Sequence, residues 1–328
     1  METWSRNAAE DESEGPQPSP RRKYAKRIVK GRAQELAEGA GNGTVVEIFP
    51  NQAAVRLDGS AGRGLCGYRM SALAFGGKLR ERSPVCVGDR VLAAGGVITG
   101  RCARRNRLIR SAPNSRDPLL HVIAANVDSL VVVAAAREPE FSAGIVDRFL
   151  VAASSQGIRP VLCVNKTDLL RPGDGKAWAH YAAAGVSVVE VSARSGDGTD
   201  ALTALLKGQT AVFCGHSGVG KTSLLRRLLG DEALGRVGEL SGATGMGKHT
   251  TTGAVMLAAP DGAFWIDTPG IMNFTLVDLP REGLLRHFPE LARAAAGCPE
   301  GCGHDAEPGC ALRGAPRLPS YRQILSSL

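Results

Sequence analysis

Residues 215–222 read Gly-His-Ser-Gly-Val-Gly-Lys-Thr, a complete G-x-x-x-x-G-K-[ST] pattern. This element constrains the fold because it functions only between a buried strand and the start of a helix. Gly215, Gly218 and Gly220 allow positive φ, so the N–H groups of a loop that includes His216, Ser217 and Val219 can converge on one anion. Lys221 can reach the β- and γ-phosphates of a nucleotide, and the Thr222 hydroxyl can ligate Mg2+. Ser223 begins the apolar helical run to Leu229, whose N-terminal dipole faces the phosphates. The preceding Thr210–Cys214 run is short, apolar and β-prone, as a buried strand should be.

A second motif names the base. Asn165-Lys166-Thr167-Asp168 follows the apolar run Arg159–Val164. The Asp168 carboxylate can accept hydrogen bonds from the ring N–H and exocyclic amine of guanine, a donor pair that adenine lacks. Asn165 can tie this loop to the phosphate-loop backbone, and the Lys166 stem can cover the base. Ser192-Ala193 ends the run Val186–Val191 and resembles the S-A-[KR] element that backs guanine with N–H groups. Asp267-Thr268-Pro269-Gly270 ends the run Ala263–Ile266. There Asp267 can hold Mg2+ through water, and Gly270 can offer its N–H to the γ-phosphate. The guanine motif precedes the phosphate loop, the reverse of ordinary small GTPases, so the core resembles a circularly permuted GTPase. In a doubly wound sheet all these loops lie at the carboxyl edge of the strands, and reordering the connections leaves the pocket intact.

The surrounding pattern is α/β. Asp128–Ala136 and Arg159–Val164 read as buried strands, with Ile145–Gln156 helical between them and further helices at Lys176–Ala184 and Thr199–Leu206. Such alternation predicts a parallel sheet covered on both faces. A chain of 328 residues accommodates several domains. Residues 1–40 read as a disordered basic extension: Glu10–Pro20 is acidic and Pro-rich, and Arg21–Arg32 carries seven Lys and Arg residues. A solubilising tail and a nucleic-acid-binding arm both fit it. Residues 41–115 read as an OB-type β-barrel, from the short alternating runs Thr44–Ile48, Ala53–Leu57, Arg90–Ala94 and Val97–Arg101. Arg101, Arg104, Arg105, Arg107 and Arg110 would give it a basic rim. With few aromatic residues in the barrel, the rim suits recognition of structured RNA by shape or backbone. Residues 116–280 hold the GTPase motifs, and 281–328 a zinc-binding helical module.

The zinc reading rests on Cys298, Cys302, His304 and Cys310, a Cys3His set within thirteen residues. Four protein ligands leave no open position, so the role is structural. Nucleotide hydrolysis belongs to a reducing compartment, which argues against disulfides among the eight cysteines. Cys163 and Cys214 fall within core strands. No apolar run reaches the roughly 18–20 residues of a membrane span, so a cytoplasmic protein without a membrane partner is expected. The formal net charge of +8 suggests a polyanionic partner.

Taken with Arg105-Asn106-Arg107-Leu108, Asn126-Val127-Asp128, Asp147-Arg148 and Gly247-Lys248-His249-Thr250-Thr251-Thr252, the chain resembles the circularly permuted small-ribosomal-subunit biogenesis GTPases, the RsgA family. The resemblance spans roughly residues 40–328. One departure is visible, since three residues separate Cys298 from Cys302 where the family usually has four. The resemblance implies a monomeric, ribosome-stimulated GTPase. It would bind the small subunit and its rRNA, assist late maturation, and leave when GTP becomes GDP. Ile271 follows the D-x-x-G element where many GTPases carry a water-orienting Gln. His249 is therefore the expected catalytic residue, and the resemblance points the same way. One threonine of Thr250–Thr252 should complete Mg2+ binding, with Thr251 the assigned one. The alternative function is a non-catalytic, nucleotide-dependent RNA-binding module.

Overall fold

The computed structural model describes residues 34–37, 39–60, 62–68, 83–111, 120–230, 253–268, 276, 279–304 and 307–328. The basic extension, His249, Thr250–Thr252, Gly270 and Ile271 lie outside the described residues.

The chain opens with β1 (Gln34–Leu36), β2 (Gly43–Phe49), β3 (Gln52–Leu57), β4 (Gly64–Gly67), β5 (Arg90–Ala94) and β6 (Val97–Cys102). Strand β2 pairs antiparallel with β3, β3 with β4, β5 with β6 and β2 with β5. A single parallel pairing, Gly67 with Val97, joins β4 to β6 and closes five strands into a barrel. That strand order is the OB arrangement. Val45, Ala53, Val55, Val91 and Ile98 fill the interior. The β5–β6 hairpin turns on Gly95 and Gly96, with φ of 57° and 77°. Both positive values are what a two-residue turn requires to match strand twist. The sequence runs locate four of the five barrel strands. They miss β4, whose Gly-Leu-Cys-Gly lacks an apolar alternation.

The next strands, β7 (Arg107–Ser111) and β8 (Leu120–Ala125), form a separate two-stranded sheet. Then follow β9 (Ser129–Ala135), α1 (Ala143–Ser155), β10 (Arg159–Asn165), α2 (Ala179–Ala183), β11 (Ser187–Glu190), α3 (Thr199–Leu205), β12 (Thr210–Cys214), α4 (Lys221–Leu229), β13 (Val255–Ala258) and β14 (Phe264–Asp267). In space these strands run β13-β14-β12-β9-β10-β11. Alternate residues of β9 face opposite layers. Val131 and Val133 pack with Phe213, Trp265, Leu202 and Leu224, under α3 and α4. Leu130 and Val132 pack with Phe149, Leu284, Phe288 and Tyr321. The latter layer combines α1 with a C-terminal module of a 3-10 segment (Arg281–His287), α5 (Pro289–Ala295) and α6 (Leu318–Ser327).

Three expectations are corrected. The sheet is mixed, because β13 runs antiparallel to β14. β13 also pairs with β2 at Val255 and Glu47, so barrel and α/β strands share one twelve-stranded hydrogen-bonded sheet among the described residues. The helix expected over Lys176–Ala184 is only α2, since Ala177 and Trp178 form a turn closed by the Ala179 N–H on the Lys176 carbonyl at 3.0 Å. The basic rim is partly internal, with Arg101 and Arg104 turned inward and Arg105 exposed. Arg101 is 5% exposed and donates to the Pro84 carbonyl, and Arg104 is held by the fully buried Asp89 at 2.6 Å. Arg105 bonds Asp128 at 3.0 Å and the Asn126 backbone. A basic run carries the same sequence signature whether its charges meet water or buried carboxylates.

Candidate functional site

The chain path defines a crevice. From β9 it runs outward through β10 and β11, and from β12 it reaches β14 and β13 on the other side. Strands β9 and β12 are adjacent and parallel at this switch point. Ligands of open α/β sheets bind outside the carboxyl ends of the strands at such a point. All four nucleotide motifs end strands there: Gly215–Thr222 after β12, Asn165–Asp168 after β10, Ser192–Ala193 after β11, and Asp267 on β14.

The phosphate loop and the guanine loop are stitched together by Asn165, which is 1% exposed. Its Nδ2 donates to the Val219 carbonyl at 2.9 Å, while its Oδ1 accepts the Ala193 N–H at 3.0 Å. Three loops thus share one side chain. Gly220, with φ of 84°, is required here, because a Cβ would lie 2.5 Å from Asn165 Nδ2. At Gly215 a Cβ would collide with the Val133 carbonyl. Ser192 Oγ donates to Asp168 Oδ1 at 2.6 Å and accepts the Ser195 N–H at 3.1 Å. Asp168 itself is exposed and Oδ2 has no protein donor among the described residues, which leaves one acceptor oxygen open to solvent. Thr167 N–H and Oγ1 both bond the Val191 carbonyl, holding the guanine loop against the end of β11.

On the phosphate side, Lys221 Nζ is ion-paired with Asp267 Oδ1. Thr268 Oγ1 donates to the Phe213 carbonyl at 2.7 Å and pins the end of β14 to β12. His216, Ser217 and Gly218 are exposed along the loop, while Thr222 and Ser223 are exposed at the start of α4. Cys163 and Cys214, expected as core residues, are fully buried, and burial pushes the Cys163 thiol up to about 12. Neither serves the crevice.

A cavity of about 200 Å3 lies elsewhere, between the barrel and the amino ends of β12 and β14. Its arginines are engaged with neighbours: Arg56 stacks 4.0 Å over the Phe264 ring, Arg90 forks onto Asp58, and Arg105 pairs with Asp128.

The C-terminal module brings Cys298, Cys302, His304 and Cys310 together, with ligand atoms all within 4.8 Å of one another. His304 Nδ1 lies 3.6 Å from Cys298 Sγ and 3.8 Å from Cys310 Sγ. A tetrahedral zinc site with Zn–S near 2.3 Å separates its ligand atoms by about 3.8 Å, so this donor set fits the ion. The Ala311 N–H points at Cys298 Sγ from 3.3 Å. The shorter Cys298–Cys302 spacing therefore still closes the set.

Sequence reasoning missed what holds this module in place. Arg317, 2% exposed, donates from Nε to Asp147 Oδ1 at 2.8 Å and from Nη1 to Glu290 at 3.1 Å. Its guanidinium stands 4.5 Å over Phe288 and 5.1 Å over Tyr181. Nothing local marks Arg317, because its main partner is 170 positions away.

Fold and motif placement together define a circularly permuted P-loop GTPase with an N-terminal five-stranded barrel and a C-terminal Cys3His group. The RsgA GTPase family model matches residues 101–277. The small ribosomal subunit biogenesis GTPase RsgA of Azotobacter vinelandii is 41% identical over 324 residues, covering 91% of this chain and 90% of that protein. That of Pseudomonas fluorescens is 44% identical over 269 residues, covering 76% and 77%. YjeQ from Thermotoga maritima superimposes with a TM-score of 0.64 at 28% identity, covering 87% of this chain and 97% of that one. YloQ, a circularly permuted GTPase, shares the fold with a TM-score of 0.61 at 23% identity, covering 87% and 93%. The chain belongs to the RsgA GTPase family.

Proposed function

We propose that this protein is a ribosome-stimulated GTPase that binds the small ribosomal subunit through its rRNA, assists late maturation, and departs on GTP hydrolysis. The observation that carries the reading is Asn165. It locks the guanine loop to the phosphate loop and to Ala193, leaving an Asp168 oxygen free for guanine. Family membership supports the subunit as partner, since the curated relatives are named for small-subunit biogenesis. No helix among the described residues is long and apolar enough to cross a membrane. We assign the protein to the cytoplasm, as a monomer, on the sequence reading alone.

In this reading Asn165, Lys166, Thr167, Asp168, Ser192 and Ala193 hold the base, and Gly215–Ser223 cradle the phosphates. With nucleotide bound, Lys221 would leave Asp267 for the β/γ-phosphates. Thr222 and Thr251, with Asp267 through water, would hold Mg2+, which would supply charge neutralisation at the phosphates. Gly270 N–H meets the γ-phosphate, and His249 orients the attacking water. These last assignments, like Thr251, rest on sequence. We assign residues 1–40 to a basic extension, 41–115 to an rRNA-binding OB barrel, 116–280 to the GTPase domain and 281–328 to the module holding one structural zinc.

The test is single-turnover hydrolysis and co-sedimentation with purified small subunits. Wild-type protein should pellet with subunits in GTP, be released in GDP, and hydrolyse faster on the ribosome. His249→Ala should still pellet while losing most stimulated turnover; a rate within about threefold of wild type would exclude a water-positioning role. Subunit binding without any turnover would favour the non-catalytic RNA-binding module.

A further inference from the structure

The stretch that follows β9, residues 137–141, belongs to no nucleotide motif, yet it touches both halves of the crevice. Glu138 offers its backbone carbonyl to Lys166 Nζ. Pro139 Cδ lies 3.6 Å from where a Cβ on Gly218 would stand. Lys166 Cε in turn passes 3.7 Å from the Cβ position of Gly220. The Lys166 stem therefore runs between the phosphate loop and this stretch. Both facing residues, Lys166 and Glu138, hold left-handed backbone conformations, with φ of 64° and 54°. Such conformations are costly for residues other than glycine and persist only where surroundings enforce them.

The surroundings do so at both ends. Arg137 is ion-paired with Asp174 at 3.3 Å, and Asp174 also accepts the Arg171 N–H at 2.8 Å, just beyond the guanine motif. Phe141 packs against Trp178 at 5.6 Å and Tyr181 at 5.9 Å between ring centres. A short segment anchored at each end and touching two loops behaves as a strut. The space between Lys166 and Gly218 is the one a ribose must bridge, because ribose joins base to phosphates.

We propose that Arg137–Phe141 is a positioning strut for guanine nucleotides. The Glu138 carbonyl holds the Lys166 stem along the face of the base, and Pro139 bears on the phosphate loop beside the ribose. Nucleotide leaves only when Lys166 is freed from this segment, so the strut sets residence time. The proposal rests on the crevice being a guanine-nucleotide site.

Dissociation of radiolabelled GDP tests it, with wild type, Pro139→Ala, Arg137→Ala and Arg137→Lys, each alone and combined with Lys166→Ala. Pro139→Ala should speed release about tenfold, and Arg137→Ala less so, with Arg137→Lys restoring the wild-type rate. In the Lys166→Ala background the same changes should alter release by less than about twofold, because the contact they act through is already gone. A merely structural role would instead multiply with the Lys166 effect. Release within about twofold of wild type in both folded strut variants, or full multiplication in the double variants, overturns the strut. Failure of the wild-type protein to bind GDP or GTP overturns the guanine site itself and the strut with it.

Discussion

Replacing Arg317 with Met removes the only cation paired with Asp147 among the described residues, while keeping a side chain of similar length. Asp147 is fully buried and Arg317 is 2% exposed, so water cannot reach the abandoned carboxylate without opening the joint between α1 and the C-terminal module. Breaking one partner of such a buried pair costs about 3–5 kcal/mol. The guanidinium also stacks on Phe288 and Tyr181, contacts worth about 0.5–2 kcal/mol together when desolvated, part of which Met retains by packing. Glu290, 23% exposed, can rehydrate, so Glu290→Gln should cost under about 1 kcal/mol. Removing both buried charges in Asp147→Leu/Arg317→Met should recover most of the loss, because the desolvation penalty disappears with the pair. Urea unfolding followed by tryptophan emission measures these differences; Trp178 is buried beside Phe141 and Tyr181, on the affected face. Arg317→Met within about 1 kcal/mol of wild type, or a double variant no more stable than the single, would refute the view that this charge pair holds the module.

Further outcomes concern the two functional centres. Asp168→Asn should weaken GTP binding at least about tenfold and shift preference toward xanthosine triphosphate, because an amide presents a donor where the carboxylate accepted; unchanged affinity in a titration contradicts the guanine assignment. Lys221→Ala should depress GTP binding or turnover by at least about an order of magnitude, and near-wild-type stimulated turnover would remove it from the phosphate site. Metal analysis of protein purified without added zinc should find about one equivalent, lost in Cys302→Ser, with GTP affinity little changed. A metal-free yet folded wild-type protein would contradict the zinc assignment.

Much of the candidate site was legible because its signals are short. Eight consecutive residues carry the phosphate loop, four the guanine motif and thirteen the Cys3His set. In each, turn conformation and ligand chemistry are properties of neighbours in the chain. The strands β9, β10 and β12 were legible for a related reason. Strands buried on both faces are continuous apolar runs, and these emerge from composition alone. Strand β13 was not, since four residues after a long connection show no direction of pairing.

The sequence by itself determined the α/β class, the permuted motif order and the candidate residues for guanine, phosphate and zinc, because local backbone geometry and local chemistry suffice for those. Only the tertiary structure decided where the arginines go. Arg101 and Arg104 look like an RNA-facing rim in one dimension, yet turn inward to Pro84 and Asp89. Arg317 looks unremarkable, yet joins Asp147 across 170 positions and seats the Cys3His module on α1. A guanidinium is always charged, and its role depends on which carboxylate or carbonyl the fold places within 3 Å or so, a nonlocal fact that no run of residues encodes.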